Sequence, residues 1–146
     1  MDYRDQFPAS LRVFDFFRRM SDLVLEELLV IWPTLTENQA RVILYIDEPI
    51  AMKELASRVG MQPSNATKLV VTCEKQGLVR REKSAEDARS VMVQLTPSGE
   101  EFRTQMLAQV TRIVDEVVGL EERNYEAIFE IIRHKEYLAA RPRKGT

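Results

Sequence analysis

Residues 52–99 read, in four successive segments, MKELASRVG, MQPSNATKLVVTCEKQG, LVRREKSAEDARSVMVQL and TPSG. In the first, Leu55, Ala56 and Val59 fall at helical spacing, and Gly60 sits where a left-handed C-cap belongs. The second opens on Pro63, a residue suited to a first helical turn, and places Ala66, Leu69, Val70 and Cys73 on one face. Gly77 ends it, with Leu78 packing back as in a Schellman cap. In the third, Val79, Arg81 and Lys83 alternate with Arg80 and Glu82. Val91, Val93 and Leu95 likewise alternate with Met92 and Gln94, which is the period of a two-stranded hairpin. Residues 84–89 form its tip. Thr96 caps a further helix, with Pro97 in its first position. Short helix, tight turn, longer helix and basic hairpin make a helix-turn-helix followed by a wing.

Reading outward, residues 8–31 predict one long helix with two apolar stripes. Leu11, Phe14, Phe17, Val24, Leu28 and Ile31 form one, and Val13, Phe16, Met20 and Leu23 the other. A helix apolar on two sides is normally buried on two sides, and a second copy of the chain supplies the second partner. Trp32-Pro33 ends it. Thr36 to Gln39 is a capping-box pattern opening a helix that turns Ala40, Ile43, Leu44 and Ile46 inward, followed by a turn at Asp47-Glu48-Pro49. On the other side, Phe102, Met106, Val110, Ile113, Val117 and Leu120 recur at spacings of three and four. Tyr125, Ile128, Phe129, Ile132 and Tyr137 mark a last helix. The chain is thus expected to be mainly α with a small β-hairpin wing. It divides into an N-terminal dimerisation helix (1–34), a winged helix-turn-helix lobe (35–96), C-terminal dimerisation helices (97–140) and a basic tail (141–146).

The 146 residues are 45% hydrophobic and 30% charged, a balance that fits a soluble globular protein. No apolar run approaches the roughly 20 residues of a membrane span, and residues 1–5 lack the basic-then-apolar pattern of a signal peptide. A cytoplasmic protein is expected. The single cysteine excludes an intramolecular disulfide framework. The net charge of −2 is unusual for a nucleic-acid binder. Its distribution matters more than its total. Lys68, Lys75, Arg80, Arg81, Lys83 and Arg89 gather in the longer helix and wing, whereas Glu100, Glu101, Asp115, Glu116, Glu121, Glu122, Glu126 and Glu130 lie later. Glu74, Glu82, Glu86 and Asp87 interrupt the basic cluster, so moderate, salt-sensitive DNA affinity is expected.

Over about residues 35–120 the chain resembles the MarR family of bacterial winged-helix repressors. The resemblance is carried by Leu35-Thr36-x-x-Gln39, Glu54-Leu55-Ala56, Thr67-Lys68-Leu69-Val70, Glu74-Lys75-Gln76-Gly77-Leu78-Val79-Arg80-Arg81, Asp87-x-Arg89-Ser90 and Leu95-Thr96-x-x-Gly99. It implies a homodimer that binds double-stranded DNA and represses transcription until a small ligand releases it. The chain departs from the family at Ala51, where a Ser or Thr cap is common and whose loss costs about 1 kcal/mol. It departs also at Gln62, a weak cap, and at Cys73, where Leu is usual.

Candidate DNA contacts lie on the outer face of the longer helix: Ser64, Asn65, Thr67, Lys68, Val71 and Thr72. Asn65 can pair with adenine, and Lys68 can reach guanine or a phosphate. The Ser64 and Thr67 hydroxyls suit phosphates near a helix N-terminus. In the wing, Arg89 is placed to enter a minor groove, Lys83 and Arg81 to meet phosphates, and Asp87 to hold Arg89 or a backbone amide. The plainer alternative is a solvated helix face and a hairpin held by Arg–Asp pairs worth little. By the resemblance, an aromatic effector would bind between the dimer helices and the DNA lobe, where Phe14, Phe17, Arg18, Trp32, Tyr45 and Met106 are candidates. Plain core packing is the competing reading for most of them.

Cys73 is spaced as core, which makes an inert thiol the expectation over a redox sensor. His134 is the only histidine, so neither a metal site nor a cofactor is expected. No phosphate loop or nucleophile–base motif suggests an enzyme. A winged-helix protein-interaction module without operator binding remains the alternative to a DNA-binding regulator.

Overall fold

A computed structural model describes residues 3–133 of the chain. After a single 3-10 turn at Tyr3–Gln6, α1 runs over Ala9–Ile31. An exposed ion-pair ladder lines it: Asp15 accepts from Arg18 at 3.0 Å and from Arg19 at 2.7 Å, and Arg18 reaches Asp22 at 2.9 Å. The helix ends where expected, with the Trp32 N–H bonded to the Leu28 carbonyl and Pro33 next. Within one chain α1 is not buried on two sides. Leu28 is its one fully buried residue, whereas Phe14 is 65% and Val30 77% exposed. Its inner face packs on the C-terminal helices, with Arg112 3.8 Å from Glu27.

Helix α2 (Glu37–Tyr45) begins with both bonds of a capping box, Gln39 N–H to Thr36 Oγ1 at 3.2 Å and Thr36 N–H to Gln39 Oε1 at 3.1 Å. Ala40, Val42, Ile43 and Ile46 are buried, while Leu44 is only half-buried. Helix α3 covers Met52–Val59 and closes on Gly60 with φ 68°, a left-handed conformation suited to glycine. Helix α4 covers Pro63–Lys75. Its Schellman closure has Leu78 N–H bonded to the Cys73 carbonyl and Gly77 N–H to that of Glu74. Neither Ala51 nor Gln62 makes a side-chain capping bond.

The wing differs from the two-stranded expectation. Strand β1 (Ile50–Ala51) precedes α3 and joins β2 (Val79–Lys83) and β3 (Val91–Leu95) in an antiparallel sheet ordered β1-β3-β2. Ile50 pairs with Val93, and Val79 with Leu95. Two residues are too few to show a period of two, so the sequence pattern marks no strand there.

Helix α5 (Pro97–Arg112) starts at Thr96, whose hydroxyl accepts from Gly99 N–H at 3.1 Å. The expected uninterrupted apolar helix to Leu120 does not form. Over Ile113–Val118 the backbone widens into a π-helix ending at Gly119 with φ 77°, which leaves Val117 47% exposed. In α6 (Glu122–Arg133), Tyr125 stacks on Phe129 and its hydroxyl donates to Asp115. The side chain of Ile132, together with His134, Tyr137 and the tail 141–146, lies outside the described residues.

One core joins these elements. Val42, Ile43 and Ile46 of α2 and its C-cap meet Leu55 and Val59 of α3, Val70 and Cys73 of α4, Val79 and Val93 of the sheet, and Met106 of α5. Trp32 and Phe102 seal its rim edge-to-face at 5.3 Å between ring centres. The core fixes α4 and the wing as one unit, with the outer face of α4 free.

Candidate nucleic-acid interface

Because Ala66, Val70 and Cys73 are drawn into the core, the opposite face of α4 must point outward. Ser64, Asn65, Lys68 and Thr72 are exposed there, with Thr67 and Val71 half-buried. Gln62 leaves the first turn without a side-chain acceptor, so the positive end of the helix is not neutralised by its own chain. Two hydroxyls are less available than the sequence implied. Thr67 Oγ1 donates to the Pro63 carbonyl at 2.9 Å, and Thr72 Oγ1 to that of Lys68 at 3.1 Å. Their protons are engaged within the helix, and donating to a phosphate would require breaking those bonds.

The tip of the wing is tied by its own side chains. Asp87 Oδ1 accepts from the Arg89 backbone N–H at 2.9 Å, and Asp87 Oδ2 from the Ser90 hydroxyl at 3.1 Å. Ser84 Oγ accepts from the N–H groups of Glu86 and Asp87, and Ser84 N–H reaches the Ser90 carbonyl. Asp87 thus bonds the backbone of Arg89, not its guanidinium. Arg89 and Lys83 are exposed and have no ion-pair partner among the described residues.

At the base of the wing the cations are engaged. Arg80 lies 3.1 Å from Glu82. Arg81, read from sequence as a phosphate contact, instead reaches back to α4: its Nη2 and Nε lie 3.1 and 3.3 Å from Glu74 Oε1. In the sequence Glu74 opens one of the motifs that carry the resemblance and otherwise stands as a charge that weakens the patch. Its seven-residue offset from Arg81 crosses a turn, and no helical or strand period marks it.

Cys73 is fully buried, and burial pushes its thiol up to about 11. It is a packing residue with little thiolate at neutral pH. The six effector-pocket candidates are not brought together in one chain. Met106 is buried in the core, Trp32 packs on Phe102, and Phe14, Phe17, Arg18 and Tyr45 are exposed. Two clefts elsewhere have other linings. One, of about 300 Å³, lies between α1 and Val118, with Phe7, Phe16, Met20 and Leu23 among its walls. The other, of about 410 Å³, lies between the Asp47–Pro49 turn and Arg103. Among the described residues there is no cluster of His, Cys, Asp and Glu suited to a metal ion, and no helix long and apolar enough to cross a membrane.

The MarR family model matches residues 35–91, from the capping box of α2 to the start of β3. Over that segment the chain is similar to the MarR family. The organic hydroperoxide resistance transcriptional regulator of Bacillus subtilis is 29% identical over 76 residues, which is 52% of this chain. The chain spans half the length of that curated relative. AbsC, a MarR family transcriptional regulator from Streptomyces coelicolor, shares the fold with a TM-score of 0.74 at 19% identity, over 91% of this chain and 93% of that one. FabT of Streptococcus pneumoniae, solved in complex with DNA, matches at 0.69 and 14% identity, over 88% and 96%. NadR, solved in complex with 4-hydroxyphenylacetate, matches at 0.70 and 20% identity, over 95% and 98%. These likenesses extend the MarR-type winged-helix fold through α1, α5 and α6.

Proposed function

We propose that the chain is a sequence-specific DNA-binding transcriptional regulator that acts in the cytoplasm as a homodimer. The observation that carries this reading is the pair of unneutralised cations, Lys83 and Arg89, on a wing tied by Asp87, together with the exposed outer face of α4. In this reading Ser64, Asn65 and Lys68 face base edges and phosphates in the major groove, and Arg89 enters the adjacent minor groove. The exposed apolar residues of α1 and α6, Phe14, Val30, Phe129 and Ile131, support pairing with a second copy. A two-fold dimer then meets a pseudo-palindromic operator with its two recognition helices about 34 Å apart.

Repression relieved by a small aromatic ligand is the regulatory mode this reading favours, supported by the ligand-bound relative of the same fold. Residues from both subunits would have to complete such a pocket, since Phe14, Phe17 and Tyr45 stand open in one chain. The ligand acts by favouring a lobe spacing that no longer matches successive major grooves.

The test is fluorescence anisotropy of the protein on the DNA upstream of its own gene, against a scrambled duplex and across salt concentrations. Preference for the upstream DNA, declining with salt, is expected. If that DNA shows no preference, a selection from random-sequence duplexes that also enriches nothing overturns the proposal.

A further inference from the structure

We infer that Glu74 is a positioning residue that locks the wing to the recognition helix, and that it aids DNA recognition through this lock rather than through its charge. The inference rests on the DNA-binding reading above and names a residue that reading does not use. Glu74 stands at the C-terminal end of α4, and its carboxylate meets Arg81 three times: Oε2 accepts from the backbone N–H at 3.1 Å, and Oε1 from Nη2 and Nε. Strand β2 is one of the two edge strands of the sheet. The Arg81 N–H that Glu74 takes would otherwise be a free edge donor. One carboxylate therefore holds both the main chain and the side chain of the wing's first strand against the helix that reads the groove.

The root of the wing has one further tie, since Thr96 Oγ1 donates to the Gly77 carbonyl at 2.5 Å, while Arg80 is engaged within β2 by Glu82 at 3.1 Å. Free positive charge begins only at Lys83. The wing is consequently an arm with a fixed root and a charged tip. Its angle to α4 decides whether Arg89 reaches the minor groove while α4 sits in the major groove.

Charge and lock predict opposite signs. A carboxylate beside DNA repels phosphates, so on electrostatic grounds Glu74→Ala strengthens binding to any duplex and frees Arg81 for one more phosphate contact. If Glu74 is a lock, Glu74→Ala weakens binding to the preferred duplex alone. The experiment uses the full chain and its Glu74→Ala, Arg81→Ala and doubly substituted variants. Each is titrated on a duplex enriched by the wild type from a random-sequence pool and on a scrambled duplex, with thermal midpoints recorded.

The expected result is a loss of about tenfold on the enriched duplex for Glu74→Ala, with scrambled-duplex affinity unchanged or raised. The double variant is expected to lose little more than Glu74→Ala, because the two side chains act as one unit. Faster hydrogen exchange at the Arg81 amide without DNA is also expected. Unchanged or stronger binding of Glu74→Ala to the enriched duplex overturns the lock. Equal losses on both duplexes with a lowered midpoint also overturn it, since that is loss of folding. A wild type that enriches no sequence overturns the DNA-binding reading itself, and the lock with it.

Discussion

A Cβ built on Gly99 would stand 1.9 Å from the carbonyl oxygen of Leu78. That oxygen cannot move aside, because it accepts the Thr96 N–H at 3.0 Å. The first turn of α5 thus lies directly on the chain leaving α4, and Thr96 stitches the two by bonding both the Gly77 carbonyl and the Gly99 N–H. The Leu95-Thr96-x-x-Gly99 motif is a weld between the end of α4 and the long helix α5.

Gly99→Ala is expected to destabilise the fold by about 2–4 kcal/mol, because backbone and not a flexible side chain must yield. Urea unfolding followed by circular dichroism checks this. A loss below about 0.5 kcal/mol, the scale of ordinary surface changes, would show that the weld relaxes easily.

Arg89→Ala is expected to weaken binding to the preferred duplex by about 1–3 kcal/mol if the guanidinium reads the groove. Lys83→Ala should weaken binding to all duplexes alike and lower the salt slope by about one. Anisotropy titrations across salt separate the two. Loss at Arg89 that is the same on every sequence would reassign it to the phosphates.

Asp87→Ala removes the acceptors of the Arg89 N–H and the Ser90 hydroxyl. Global stability should change by less than about 1 kcal/mol, since the tip is exposed. Trypsin should cut after Arg89 several-fold faster than in the wild type, a readout independent of DNA. An unaltered cleavage rate would mean that Ser84 alone holds the tip.

With its thiol pushed up to about 11 and its side chain fully buried, Cys73 should resist modification in the folded protein at pH 8. A chromogenic disulfide reagent is expected to react on the timescale of unfolding and at once in guanidinium. Immediate stoichiometric reaction under native conditions would contradict the packing role.

The carboxyl of Asp15 is held below the ordinary carboxylate range, first by hydrogen bonding from Arg19 and then from Arg18. A depressed pKa gives stability that is present above the unfolded value, near 3.9, and is lost as pH falls through the folded value. The difference in urea midpoint between wild type and Asp15→Ala should therefore be steady near neutrality and shrink below about pH 4. A difference that grows on acidification would reverse the assignment.

The elements legible in the sequence are those written within a few residues of themselves. Helices from α2 to α4 follow from apolar spacing, and their ends from the Thr36 capping box, Gly60 and the Gly77–Leu78 closure. Each depends on chemistry between positions one to five apart, so the order of residues is enough to reveal it. The outer face of α4 follows as the complement of its apolar face.

What only the tertiary structure decided involves groups brought together by the packing of separate elements. Strand β1 exists because Ile50 meets Val93 across the sheet, and two residues carry no period of their own. The π-helical end of α5 interrupts an apolar spacing that, by itself, reads as one continuous α-helix. Arg81 looked free until the turn after α4 delivered Glu74 to it. Nothing around Gly99 in the sequence shows that the Leu78 carbonyl lies against it. Local periodicity records which face of an element is apolar, but the distance between two elements is set by the shared core that joins them. That distance determines which cations are engaged and which are left free at the tip of the wing.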